Sequence, residues 1–139
     1  MRRIFLLGLV TLVVVAGGCV PMNQRLLDSE QSQVQLRQIQ TRAFDTGDLE
    51  RTLRASIATL QDLGFVVDKA DLDLGTVTAT KLDGYALRMT VTVRRRGASQ
   101  VLVRANAQYN LSPISDPQPY QNFFIALERA MFLSAQRVD

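Results

Sequence analysis

The sequence contains no histidine and only one cysteine, Cys19. Catalytic Cys/His pairs, Ser/His triads and zinc sites depend on these residue types, so the sequence excludes all three. A single cysteine also leaves no partner for a disulfide within the chain. This removes most familiar hydrolase chemistry. We expect a protein that is not an enzyme and that carries no cofactor and no metal, and an enzyme is the third interpretation, after an interaction module and a ligand binder.

The chain also lacks internal repeats and a large excess of charge. Its 139 residues are 47% apolar and 21% charged, which suits one compact domain and is too little for two. The net charge of +3 would fall to +1 if Arg2 and Arg3 were removed with a leader. This balance gives no indication of a nucleic-acid partner.

Residues 1–18 have the layout of a secretory signal peptide. A basic start, Met1-Arg2-Arg3, precedes an apolar run from Ile4 to Ala16. That run is shorter than the roughly 20 residues that a helix needs to cross a bilayer. The sequence therefore predicts a cleaved leader in preference to a transmembrane helix.

The segment Val15-Ala16-Gly17-Gly18-Cys19 resembles the lipobox of bacterial lipoproteins. The resemblance implies cleavage between Gly18 and Cys19 and acylation of Cys19, which would anchor the protein stably to a membrane. In the sorting rule of such lipoproteins, aspartate after the cysteine retains the protein in the inner membrane. Val20 stands there instead, which implies the outer membrane of a Gram-negative bacterium, with the domain facing the periplasm. The alternative is an ordinary signal peptide with an incidental cysteine.

Residues 19–37 are predicted to be an acylated N-terminus followed by a flexible tether. The segment is rich in glutamine and shows no sustained helical or strand period. Leu26, Leu27, Val34 and Leu36 leave a short interfacial or partner helix as the alternative. A single domain is predicted over residues 38–139.

Within this domain, the pattern predicts the order strand, helix, four strands, helix. The first strand is expected over residues 39–46. The first helix is expected to begin after the capping residue Asp48 and to stop at Gly64. The four strands are expected over residues 65–69, 76–81, 85–94 and 100–109, and the closing helix after Asp116-Pro117. Both helices are amphipathic, so the fold class is α+β: a two-layer sandwich with the helices on one face of an antiparallel sheet.

Several segments resemble a family of uncharacterised bacterial outer-membrane lipoproteins. They are Arg42 to Thr46, Leu60 to Phe65, Ala70-Asp71 with Leu74 to Ala79, and Tyr120 to Phe124. The resemblance implies the compartment and the domain boundaries and supplies no catalytic residue. The element order is also similar, in topology alone, to the helix-grip domains of the accessory lipoprotein of the outer-membrane β-barrel assembly machinery.

Three apolar residues of the closing helix, Ile125, Phe132 and Leu133, fall outside its predicted core stripe. Such a group can mark a surface where another envelope protein docks. The alternative is packing against the first helix or against the loop around Ile114.

The sequence contains two further candidate sites. Arg94, Arg95 and Arg96 end a strand at a hairpin tip, where they would contact anionic lipid or an acidic partner, or simply be solvated. The acidic group of Asp68, Asp71, Asp73 and Asp83 is similar to part of a calcium loop but lacks the glutamate at position twelve, which favours a solvated turn.

Taken together, the sequence predicts a non-enzymatic, lipid-anchored interaction or assembly module of the cell envelope. The alternative is a binder of lipid or another small apolar ligand in a cleft between helices and sheet. The side chains that would line this cleft are Tyr85, Met89, Tyr109, Tyr120 and Phe124.

Overall fold

A computed structural model describes residues 32–82 and 86–136, with side chains up to residue 132. The chain runs through helix α1 (residues 32–40), strand β1 (Thr41–Phe44), helix α2 (Leu49–Asp62), strands β2 (Val66–Asp71), β3 (Thr76–Leu82), β4 (Ala86–Arg96), β5 (Gln100–Tyr109) and β6 (Ser112–Pro113), and helix α3 (Gln118–Gln136).

All strand pairs are antiparallel, and the strand order across the sheet is β1-β5-β4-β3-β2. Strands β2 to β5 form a meander in which each strand pairs with the next. Strand β6 pairs with the end of β5, on the same edge of β5 that pairs with β1. Strands β1 and β2 lie on opposite edges of the sheet. Because α2 connects these two strands, it must cross one face of the sheet.

The period-2 alternation of the central strands decides which face the helices cover. Val91 and Val93 of β4, and Val101 and Val103 of β5, are fully buried, while their sequence neighbours are half-buried or exposed. Alternation places every second residue on the same face, so one face of the sheet is apolar. The predicted α+β class and the two-layer arrangement are confirmed.

Helix α2 begins and ends at the predicted residues because of interactions within a few residues of each end. The side chain of Asp48 accepts a hydrogen bond from the backbone N–H of Arg51 at 2.9 Å, which satisfies one free donor of the first turn. Gly64 follows the helix with φ +85°, a left-handed conformation that glycine adopts without steric cost. Leu53 and Leu60 are fully buried, and each burial contributes about 1.5–3 kcal/mol.

A second buried stripe of α2 consists of small residues: Thr52, Ala55, Ser56 and Thr59. The hydroxyls of Thr52 and Ser56 donate to the carbonyls of Asp48 and Thr52, one turn earlier, both at 2.8 Å. These bonds satisfy polar atoms that burial would otherwise penalise. Small side chains also permit close packing, and α2 contacts α3 as well as β2, β3 and β4.

Three details differ from the expected element order. Residues 32–40 are helical, so the described end of the predicted tether forms a helix, which is the alternative to a flexible segment. The helix includes Ile39 and Gln40, so the first strand begins at Thr41 and its predicted start at residue 39 is wrong. Strand β1 stops at Phe44, because a turn follows in which the N–H of Thr46 bonds to the carbonyl of Phe44 at 2.9 Å. Strand β6 is an addition of only two residues, too short to show a period in the sequence.

Candidate protein-binding surface

Helix α3 is fixed to the sheet by four aromatic and aliphatic side chains. Tyr120, Phe123, Phe124 and Leu127 are at most 2% exposed. The rings of Phe123 and Phe124 meet edge to face with their centroids 5.2 Å apart, and the guanidinium of Arg42 lies 5.1 Å from the centroid of Phe124. The buried stripe therefore sets which face of α3 turns outward.

The outward face of α3 carries two exposed apolar side chains. Ile125 is 49% exposed and Phe132 is 62% exposed. They are seven residues apart, which at about 100° per residue places them almost on one line along the helix. This line lies opposite the buried stripe, so neither residue contributes to the core. The side chain of Leu133, the third predicted residue, lies outside the described part of the protein.

Glu128 and Arg129 lie between these two residues on the same face, and both are exposed. Neither forms an ion pair with any residue that the structure describes. Adjacent residues on a helix do not face each other, so the two charges do not neutralise one another by direct contact. We call Ile125, Glu128, Arg129 and Phe132 the α3 outer stripe.

Sequence analysis identified only the apolar members of the outer stripe. The positions of Glu128 and Arg129 around the helix axis could have indicated them, because both point within about 60° of the direction in which Ile125 points. Charged residues on a helix usually mark its solvated face, so their presence in the sequence does not by itself indicate a binding surface.

The three arginines of the β4–β5 hairpin do not form one cluster. Strand alternation directs Arg95 to the helix side, where it donates to the carbonyl of Gly47 at 3.1 Å. Arg94 donates to the carbonyl of Leu74, and Arg96 is exposed. Two of the three guanidinium groups therefore brace neighbouring loops.

Most of the side chains that were predicted to line a ligand cleft are buried in the core. Met89, Tyr120 and Phe124 are at most 2% exposed, Tyr109 is half-buried, and Tyr85 lies outside the described residues. A cavity of about 230 Å³ lies near one end of the sheet instead. It is lined by Leu63, Phe65, Lys81, Leu87, Tyr109, Asp116, Gln118, Pro119 and Asn122.

Two of the predicted acidic residues, Asp68 and Asp71, accept hydrogen bonds, and Asp73 is exposed. Asp71 accepts a hydrogen bond from the N–H of Leu74 at 2.9 Å, and Asp68 accepts one from the hydroxyl of Thr80 at 2.6 Å. No group of three or more potential metal ligands occurs within residues 32–82 and 86–136. Asp83, the fourth predicted member, lies outside these ranges.

The other face of the sheet is open and polar. Arg88, Arg104 and Asn106 are exposed there, and the hydroxyls of Thr78 and Thr90 lie 3.1 Å apart across β3 and β4. A shallow depression on the outer side of α2 is lined partly by Glu50 and Arg54, which form an exposed ion pair at 2.7 Å. The depression on α2 combines charged residues with only small apolar ones, Ala55 and Ala58, and lacks the large exposed apolar side chains of the α3 outer stripe.

Cys19 and the other residues of the predicted leader and lipobox lie outside the described part of the chain. None of the helices in the described ranges combines the length and the apolar character that a membrane span needs. A scan of known family models finds no match to the chain, and a search of curated proteins finds no significant match.

Proposed function

We propose that the protein is a lipid-anchored outer-membrane lipoprotein whose domain faces the periplasm and acts as a non-enzymatic interaction module. In this proposal, acylated Cys19 holds the domain at the membrane, and the α3 outer stripe is where a protein partner docks. Neither nucleic acid nor metal takes part.

The observation that carries the proposal is the exposure of Ile125 and Phe132 on a helix whose opposite face is fully packed. Phe123 and Leu127 already fill the core beneath α3, so the outer side chains have no structural role there. Exposed aromatic and aliphatic side chains beside charged groups are typical of the centre and rim of protein interfaces.

The alternative, binding of a small apolar ligand, has weaker support. Pockets for such ligands usually measure about 300–1,000 Å³ and are predominantly apolar. The cavity of about 230 Å³ is smaller, and Lys81, Asp116, Gln118 and Asn122 contribute to its walls. Its apolar side chains, Leu63, Phe65 and Leu87, are the observation that keeps this alternative in consideration.

Docking is tested by placing a photo-crosslinking amino acid at position 125 or 132 in intact cells. The matched control carries it at Gln61, an exposed residue of α2 outside the α3 outer stripe. We expect a discrete protein adduct from positions 125 and 132 that is absent from position 61. Equal, diffuse labelling from all three positions would contradict the proposal.

Anchoring is tested with Cys19→Ser and Val20→Asp. Removal of the thiol should prevent acylation and move the protein out of the detergent phase in a phase-partitioning assay. Val20→Asp should leave acylation intact and move the protein from the outer-membrane to the inner-membrane fraction. Detergent partitioning that survives Cys19→Ser would contradict a lipid anchor at this residue.

A further inference from the structure

The three most exposed large apolar side chains that the structure describes are Val66, Leu82 and Leu111. They are 71%, 82% and 87% exposed, each more than Phe132 of the α3 outer stripe. They belong to β2, to β3 and to the two-residue turn between β5 and β6, respectively. Single exposed apolar residues are common on protein surfaces, whereas a group of them marks a contact site.

Strand pairing places all three residues at one end of the sheet. Leu82, the last residue of β3, pairs with Ala86, whose carbonyl accepts a hydrogen bond at 2.9 Å from the N–H of the residue before Leu111. Leu111 therefore lies about two strand spacings, or about 10 Å, from Leu82. On the other side of Leu82, Val66 at the start of β2 pairs with Thr80. We call Val66, Leu82 and Leu111 the apolar sheet end.

Basic side chains accompany the apolar sheet end. Lys81 precedes Leu82, and the exposed Arg88 lies diagonally across from Leu82 on β4. Neither forms an ion pair with any residue that the structure describes. Two carboxylates of this region, Asp68 and Asp116, accept hydrogen bonds within the domain. Because charges of both signs are present, the apolar side chains rather than net charge supply the attraction to a binding partner.

We propose that the apolar sheet end inserts into the headgroup region of the membrane that holds the lipid anchor. This inference rests on the proposed acylation of Cys19 and adds the surface through which the domain itself contacts lipid. Residues 19–31 precede α1, and a chain of that length spans at most about 45 Å when fully extended. The anchor therefore keeps the domain within reach of the lipid surface, where exposed leucine side chains are stabilised by leaving water.

The shape of the apolar sheet end favours lipid over a protein as the occupant. Its side chains project from a strand start, a strand end and a tight turn, so they are separated and do not form one flat patch. A fluid headgroup layer accommodates separated side chains, whereas a protein would need a matching pocket for each of them.

Contact through this end leaves the α3 outer stripe free for a protein partner. Helix α3 begins near the apolar sheet end, because its first residue, Gln118, lines a cavity together with the last residue of β5. Farther along the helix, Phe124 lies against Arg42, which pairs with Val103 in the middle of β5. Helix α3 thus runs away from the lipid contact, and Phe132 lies about 21 Å farther along its axis than Gln118.

The contact is tested by fluorescence quenching of the full-length protein in phosphatidylcholine vesicles. A fluorophore is attached to Leu82→Cys, Leu111→Cys or Leu74→Cys, and the parent protein verifies that acylated Cys19 takes no label. Leu74 is the matched control, because it is 58% exposed and precedes the opposite end of β3. Lipids with a nitroxide on the acyl chain should quench positions 82 and 111 about threefold more strongly than position 74.

The contribution of the apolar side chains is tested with a second substitution in the protein labelled at position 82. Val66→Ser or Leu111→Ser should reduce the quenching to about half, because less apolar surface then enters the headgroup region. Leu72→Ser, at the other end of the sheet, should leave the quenching unchanged. All three positions are exposed, and an unchanged melting curve would verify the fold.

Equal quenching of the three labelled positions, or no quenching in vesicles that float together with the protein, would overturn the lipid contact while the anchor stands. Quenching that requires phosphatidylglycerol in the vesicles would also overturn it, because charge and not apolar insertion would then hold the domain. Protein that does not float with the vesicles would remove the anchor and this inference together.

Discussion

The hydroxyl of Tyr120 accepts a hydrogen bond from the backbone N–H of Ala107 at 3.3 Å, which ties α3 to β5. The same hydroxyl donates to the carbonyl of Ile114 at 2.7 Å and accepts from the side-chain amide of Gln40 at 3.3 Å. Strand β1 pairs with β5 up to Arg104, and β6 pairs with its last two residues. Tyr120 thus bonds to the edge of β5 in the gap between these two short strands.

Tyr120→Phe should destabilise the domain by about 1–3 kcal/mol, because buried polar groups of Ala107 and Ile114 lose their partner. The ring remains, so packing is preserved and no cavity forms. Chemical denaturation of the variant and the parent measures the difference. Equal free energies of unfolding would show that these hydrogen bonds do not hold α3 in place.

The hydroxyl of Thr59 is buried without a hydrogen-bond partner in the described part of the chain. Thr59→Val replaces this hydroxyl with a methyl group of similar shape, so we expect unchanged or higher stability. Thr52→Val is the matched control, because the Thr52 hydroxyl donates to the carbonyl of Asp48. It should cost about 1 kcal/mol. The reverse order in thermal melting would contradict the assigned contacts.

Two glycines in left-handed conformations differ in what surrounds them. Gly75 has φ +61° and a Cβ there would meet the carbonyl oxygen of Val93 at 2.6 Å, whereas Gly97 has φ +68° with no atom within 4 Å. Gly97→Ala should therefore cost about 1 kcal/mol from backbone strain alone. Gly75→Ala should cost clearly more, since the β2–β3 loop must move away from β4. Equal midpoints in urea would refute the close contact.

Phe132→Ser alters the proposed docking surface, whereas Leu127→Ser alters the core. Comparing the stability and crosslinking of the two variants distinguishes these roles. Phe132 is 62% exposed, so its loss should change the free energy of unfolding by no more than about 0.5 kcal/mol and should abolish crosslinking from position 125. Leu127 is fully buried, and its replacement by serine should cost about 2–5 kcal/mol. A large loss of stability in Phe132→Ser would mean that this side chain belongs to the core.

The features that the sequence could predict depend on residues that are close together in the chain. Asp48 and Gly64 mark the ends of α2 through interactions within a few residues, and the alternation of β4 and β5 assigned their buried faces. Helical spacing also separated Ile125 and Phe132 from the buried stripe. These features depend on short-range geometry, so they are visible before the fold is known.

The missed features depend on contacts between distant residues. The bond between Gln40 and Tyr120 joins positions 80 residues apart, and nothing near either residue indicates it. Ser56 is polar, yet it is buried because its hydroxyl bonds within the helix. The separation of Arg94 from Arg95 follows from loops that the β4–β5 hairpin meets only in the folded protein.

The most direct test of a lipid-anchored docking module is the intact mass of the protein purified from its native membranes. We expect a polypeptide that begins at Cys19 and carries a diacylglyceryl group and an N-linked acyl chain. A mass that corresponds to the full 139 residues with a free thiol would contradict the anchor, and with it the proposed function.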